Sequence, residues 1–233
     1  MRKEIRENRK GRYTREDALN DREFQLLLEG AREMEHYYSQ QARFIILVAG
    51  RLGMRKGEIT HIQEKWVDWR KDMIEIPRFE PCDKGKNGGA CGYCKQQAKQ
   101  AVEYNEEADI EEEIRCKWEP KTEAAARKIP FGFDPRTSLI LERFFDRYDE
   151  FCWSAQAITR RVKKAAKLAK ELDEEEIYPH CLRATAATYH ASRGLEMVPL
   201  QAMFGWAQPS TAMNYIQNSG ENTARALHMV HSQ

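Results

Sequence analysis

The chain has 233 residues, of which 41% are apolar and 32% charged, and its mean hydropathy is −0.78. That length can bury roughly 70–75% of the surface an unfolded chain exposes. No stretch approaches the ~20 uncharged apolar residues of a membrane span, and 23 aromatic residues argue against a disordered chain. The net charge of +1 conceals segregation. Residues 1–15 carry seven Lys/Arg against two Glu, while residues 103–119 carry eight acidic residues against two basic ones. A near-neutral sum is therefore compatible with a polyanionic partner, because contacts depend on local patches.

Residues 1–14 read as a basic flexible arm, and residues 15–233 as one folded domain. Asn20 followed by Glu23 predicts a capping box, opening a helix whose Phe24, Leu27, Leu28, Ala31 and Met34 recur at helical spacing. The apolar run Phe44-Ile45-Ile46-Leu47-Val48-Ala49 predicts a buried helix that stops at Gly53. A third helix begins near Arg55 and turns Ile59 and Ile62 inward. Trp66–Trp69 and Met73–Pro77 alternate as short strands around the turn Arg70-Lys71-Asp72, and Arg127–Phe131 supplies a third strand. Between the second and third lie a Cys- and Gly-rich stretch, 80–97, and an acidic, helix-prone stretch, 98–115. A structureless loop that long is improbable in a domain, so the spacing predicts an insertion over about 80–118 with structure of its own. From residue 136 the pattern is helical, in segments of about 136–151, 155–172, 180–193, 197–205, 209–216 and 222–231. The fold class is mainly α with a small three-stranded antiparallel sheet (α+β).

Six cysteines fall unevenly: Cys82, Cys91, Cys94 and Cys116 cluster, whereas Cys152 and Cys181 stand alone. The basic start of the chain leads into no apolar signal region, which points to a reducing compartment and to metal before disulfide. Cys91-Gly92-Tyr93-Cys94 is a tight knuckle, and four thiolates suit tetrahedral structural zinc. Free thiols in a flexible loop are the competing reading. The acidic run from Glu106 to Glu113 reads as a solvated helix face, since adjacent carboxylates without a partner histidine make poor ligands.

Candidate chemistry sits in four places. His180 and Arg183 lie three apart where a polar linker becomes a helix, so both project from one face of its first turn, and a helix N-terminus favours an anion. Alone, such a pair fits a structural role equally well. In Gly53-Met54-Arg55-Lys56-Gly57-Glu58 an arginine follows a buried helix directly, and Glu58 stands where it orients Arg55. Lys121-Thr122 precedes the third strand, which puts Lys121 at the tip of the sheet. Gly205-Trp206 is followed nine residues later by Tyr215, near the end of a short helix.

In this order, the motifs G-M-R-K-G-E at 53–58, K-T-x-x-x-x-R-x-I-P at 121–130, H-C-L-R-A-T-A-A-T at 180–188 and F-G-W-A-Q-P-S-T-A-M-N-Y at 204–215 resemble the catalytic domain of the tyrosine recombinases, the phage integrase family. The resemblance covers about residues 15–231, apart from the insertion. It implies that Arg55 and Arg183 clamp the non-bridging oxygens of a phosphodiester, with fork geometry and a charge that never titrates. Tyr215 is then the nucleophile of a covalent 3′-phosphotyrosyl intermediate. With an ordinary pKa near 10, it needs a positive field and a base, the role implied for His180. Lys121 is the implied general acid for the departing 5′ oxygen, and Glu58 holds Arg55 from behind. Trp206 stands where many members have histidine. It either donates through its indole N–H or is a core residue. The chemistry so implied needs no metal or nucleotide, and the chain has no G-x-x-x-x-G-K-[ST] loop.

Two departures matter. Ala184 follows the second arginine where the family usually has histidine, and nothing before the domain resembles the family's N-terminal core-binding domain. The arm, the insertion and a basic run with Arg160, Arg161, Lys163, Lys164 and Lys167 are the available replacements for gripping DNA. The resemblance therefore implies a site-specific recombinase, an integrase of a virus or mobile element. It would act on double-stranded DNA as a homo-tetramer, monomeric or dimeric when free, away from membranes, in the cytoplasm of a prokaryotic host at the nucleoid. The segment Asn222–His231, with Leu227, Met229 and Val230, packs either on a neighbouring subunit or on its own core. A type IB topoisomerase, which nicks and reseals one strand, and a DNA-binding module without catalysis are the competing functions.

Overall fold

A computed structural model describes residues 17–80, 82–104, 123–217 and 220–231. The arm expected over 1–14 and the later part of the insertion lie outside the described residues.

Helix α1 (Asp21–Arg32) starts with the capping box: Asn20 Oδ1 accepts from the Glu23 amide at 2.9 Å, and Glu23 Oε2 accepts from the Asn20 amide at 3.0 Å. Its inward stripe is Phe24, Leu27, Leu28 and Ala31. Gly30 belongs to the same face, because a Cβ there would lie 2.2 Å from the Ala165 carbonyl. Helix α2 (His36–Gly50) is buried almost continuously from Gln41 onward and forms the centre of the molecule. Around it an aromatic core assembles, with Phe44 stacked on Phe144 at 3.8 Å and on Phe151 at 6.3 Å. Helix α3 (Lys56–His61) is short and buried on most of its surface.

The sheet has three antiparallel strands in sequence order: β1 (Val67–Asp68), β2 (Met73–Ile76) and β3 (Arg127–Pro130). Ile74 pairs with Val67 on one side and Ile129 on the other, so one face of alternate apolar residues is buried. Asp72 adopts a positive φ of 51° in the turn between the first two strands. Inside the insertion, helix α4 (Gly92–Tyr104) begins directly after Cys91.

Six further helices complete the described chain in order. Helix α5 (Pro135–Phe145) is capped by Asp134, whose Oδ1 accepts from the Arg136 amide at 3.3 Å. It stops six residues short of the expected 151. Backbone bonds to the loop after α3 capture the chain instead: the Glu64 amide donates to Asp149 at 2.8 Å and the Phe151 amide to Ile62 at 3.0 Å. Helix α6 (Ala155–Leu168) likewise ends before the expected 172, where the Ala169 amide turns back to Ala165 and Ala166. Then follow α7 (Pro179–Ser192), α8 (Met197–Phe204), α9 (Pro209–Ile216) and α10 (Gly220–His231). On α10, Leu227, Met229 and Val230 are 54%, 70% and 68% exposed, so they do not pack on the chain's own core. No described helix is long and apolar enough to cross a membrane.

Candidate active site

Gly53 leaves α2 with φ of +66°, and a Cβ there would lie 2.3 Å from the Phe204 ring. Glycine thus lets the chain turn tightly against α8, which brings Arg55 to the start of α3. The Arg55 amide donates to Glu58 Oε2 at 2.7 Å, its Nη1 donates to Glu58 Oε1 at 2.9 Å, and its Nη2 donates to the Gly205 carbonyl at 3.0 Å. Gly205 is the left-handed cap of α8, with φ of +57°. Arg55 thus ties the turn after α2 to the turn after α8.

Glu58 is 1% exposed and holds a second arginine. Arg127 of β3 donates from Nη1 to Oε1 at 2.7 Å and from Nη2 to Oε2 at 3.0 Å, a bidentate pair, while its Nε donates to the Met203 carbonyl at 2.7 Å. Burial pushes the Glu58 carboxyl up. The charge and hydrogen bonds of Arg127, then the charges of Arg183 and Arg55, outweigh that and hold it at about 2.

Arg183, on α7, is 4% exposed. Its Nη1 donates to the Gly53 carbonyl and its Nη2 to the Phe204 carbonyl. Burial first, then the neighbouring Arg55 charge, pull this guanidinium well below the usual arginine range, with Glu58 opposing. Three guanidiniums thus gather around one carboxylate. A buried excess of positive charge is costly unless an anion completes it, so the cluster has the electrostatics of an anion site.

Beside it runs an aromatic stack. Trp206 lies on Phe204 at 4.8 Å, and Tyr215 of α9 lies on Trp206 at 5.3 Å with the planes only 4° apart. The Arg183 guanidinium stands 5.1 Å from the Phe204 ring centre and 5.9 Å from that of Trp206. Trp206 is half-buried, and it packs against the core while facing Tyr215, so its ring serves both contacts. His180 is exposed on the first turn of α7, three residues before Arg183. Lys121 lies outside the described residues.

The basic run falls on α6. Arg160, Lys164 and Lys167 are exposed, whereas Lys163 pairs with Glu175 at 3.3 Å. Arg161 is engaged within the fold: its Nε donates to Gln41 Oε1 at 3.0 Å and its guanidinium covers the Tyr38 ring at 4.1 Å.

A second polar cluster sits at the other end of α3. The sulfurs of Cys82, Cys91 and Cys94 and a ring nitrogen of His61 all lie within 4.8 Å of one another. Cys116 lies outside the described residues. Two participants are not readable from local spacing. Arg127 lies inside the 121–130 motif, but its carboxylate partner is 69 residues away. His61 precedes Cys91 by 30 residues; its only signal was a histidine on the buried face of a short helix.

Residues 18–222 match the sequence profile of the phage integrase family, so the chain belongs to that family, the tyrosine recombinases. Among solved structures it is similar to the Tn1549 transposon integrase in complex with transposon right-end DNA, at 18% identity and a TM-score of 0.60, over 93% of this chain and 66% of that one. It is similar also to XerA recombinase, at 16% identity and a TM-score of 0.57, over 93% and 63% of the two chains. XerH recombinase bound to palindromic difH DNA, in a post-cleavage complex, gives 16% identity and a TM-score of 0.56, over 91% and 52%. At these identities the likeness is one of fold, and this chain spans less than two thirds of each relative's length. Among curated proteins nothing matches the sequence.

Proposed function

We propose that this chain is the catalytic part of a site-specific DNA recombinase, an integrase of a virus or mobile element, which cleaves and rejoins double-stranded DNA through a 3′-phosphotyrosyl link. The observation that carries this reading is the arginine cluster. Arg55 and Arg183 are held by Glu58 and by the carbonyls of Gly53, Phe204 and Gly205, with Tyr215 stacked alongside.

In this reading the scissile phosphate lies against Arg55 and Arg183, which offset the charge that develops on its non-bridging oxygens. The Tyr215 oxygen attacks phosphorus and its proton passes to His180. The bond to the 5′ oxygen breaks, and Lys121 protonates that oxygen. A 5′ hydroxyl from another strand reverses the steps and releases Tyr215. One phosphate diester replaces another, so no nucleotide is consumed, and the guanidiniums take the electrostatic task that a metal performs elsewhere. Exposed Arg160, Lys164 and Lys167 fit contacts to DNA phosphates. The exposed apolar residues of α10 favour docking on a neighbouring copy in a tetramer. The setting is the cytoplasm of a prokaryotic host, at the nucleoid.

The test uses nicked duplexes carrying the DNA on either side of the protein's own coding sequence, analysed on denaturing gels. The wild-type chain is expected to form a covalent adduct and joined products. Tyr215→Phe is expected to abolish the adduct while a gel shift persists. An adduct that survives this substitution overturns the assigned nucleophile. Relaxation of supercoiled plasmid without joined products identifies a topoisomerase instead.

A further inference from the structure

The thiol–imidazole cluster belongs to no step of the strand-transfer chemistry, yet its construction is specific. His61 is 2% exposed and its Nδ1 lies 2.8 Å from the Gly57 carbonyl. A carbonyl only accepts, so Nδ1 carries the proton and Nε2 presents a lone pair. That lone pair faces sulfur: Nε2 is 3.6 Å from Cys91 Sγ and 3.3 Å from Cys94 Sγ. Tetrahedral zinc with Zn–S of about 2.3 Å and Zn–N of about 2.0–2.1 Å separates its nitrogen and sulfur ligands by roughly 3.5 Å. The Cys91 amide donates to Cys82 Sγ at 3.4 Å, and Cys91 and Cys94 flank the first turn of α4. A histidine oriented by a carbonyl behind it is the usual support of a metal-bound imidazole, and a disulfide would have no use for it.

We propose that His61, Cys82, Cys91 and Cys94 form a closed tetrahedral zinc site that fastens the insertion to the helix bearing Arg55 and Glu58. With four protein ligands the ion has no open position, so it is structural. Its mechanical consequence follows from α3, which has only six residues. His61 grips the carbonyl of Gly57, the residue between Lys56 and Glu58. Tyr93, from the knuckle, lies so close over Gly57 that a Cβ there would meet its hydroxyl at 2.5 Å. Lys84 adds a second tie, donating to the Thr60 carbonyl at 3.0 Å and to the Phe151 carbonyl at 2.7 Å. Zinc thus braces the arginine cluster from behind, a role that goes beyond the recombinase reading and is tested without DNA.

The experiment measures zinc in the purified full chain by elemental analysis and replaces it with cobalt(II), whose absorption reports thiolate ligands. One metal per chain is expected, with a sulfur-to-cobalt charge-transfer band. His61→Ala and Cys94→Ser are expected to lose most of the metal, and His61→Cys to regain it with a band strengthened in proportion to four thiolates in place of three. Cys116→Ser is expected to leave content and spectrum unchanged. Absence of stoichiometric metal in the wild type overturns the site. An unaltered spectrum in His61→Ala, or a lost one in Cys116→Ser, overturns the ligand set. The rescue by His61→Cys separates ligation from failure to fold.

Discussion

The two ends of α3 carry opposite kinds of polar cluster. At its start, Arg55, Arg127 and Arg183 surround Glu58. At its end, three thiols surround His61. Both are at least partly buried, and they are unbalanced in opposite senses: the first has positive charge in excess and suits an anion, the second has electron-pair donors in excess and suits a cation. The difference teaches how a six-residue helix, far below the length that is stable alone, holds a fixed position. It is anchored by polar ties at both ends and by the burial of Ile59 in the core.

Substitutions separate the two ends. The largest effect is expected from Arg55→Ala. Arg127 still neutralises Glu58 through two hydrogen bonds, so the fold should persist. Loss of one charge-stabilising donor lowers cleavage by about 10²–10³-fold, while metal content stays at the wild-type level. Single-turnover assays on nicked DNA beside elemental analysis check both halves, and a loss of metal would show that the two clusters are not independent.

Glu58→Gln acts on stability. The folded carboxyl sits at about 2 against an ordinary 4.5. Its contribution, on the order of 3 kcal/mol, is present above pH 4.5 and is lost as the pH falls toward 2. Urea unfolding should therefore put the variant about 3 kcal/mol below wild type at pH 7, with the gap narrowing as pH drops through that window. A gap independent of pH would mean that packing, not charge, dominates there. A smaller effect, about 2 kcal/mol, is expected for Gly205→Ala, because the residue has φ of +57° and a new Cβ would meet the Ala124 carbonyl at 2.7 Å. The same denaturation series measures it.

The sequence made the frame of the molecule legible where local signals were strong. The Asn20–Glu23 capping box, the buried run through Ala49, the Gly53 turn and the short helix ending near Tyr215 all rest on neighbours in sequence. Helix ends at 145 and 168 were not legible. Each is set by backbone partners elsewhere or by a local turn that propensity does not register. Within the site, the pairing of Arg55 with Glu58 three residues on was readable, but the second claim on that carboxylate by Arg127 was not. A run of basic residues says nothing about which side chains face inward, so Arg161, covering Tyr38, looked like its exposed neighbours. His61 was hidden for a similar reason, since its sulfur partners come from another part of the chain.

The near-parallel seat of the Tyr215 ring on Trp206 sets how readily that phenol comes to hand. Parallel rings with centres 5.3 Å apart are offset-stacked, a contact worth about 0.5–1.5 kcal/mol beyond the area it covers, a roughly two- to tenfold bias toward this pose. The indole fixes the plane of the phenol: to swing away, the ring has to give up this stack together with its packing against the core.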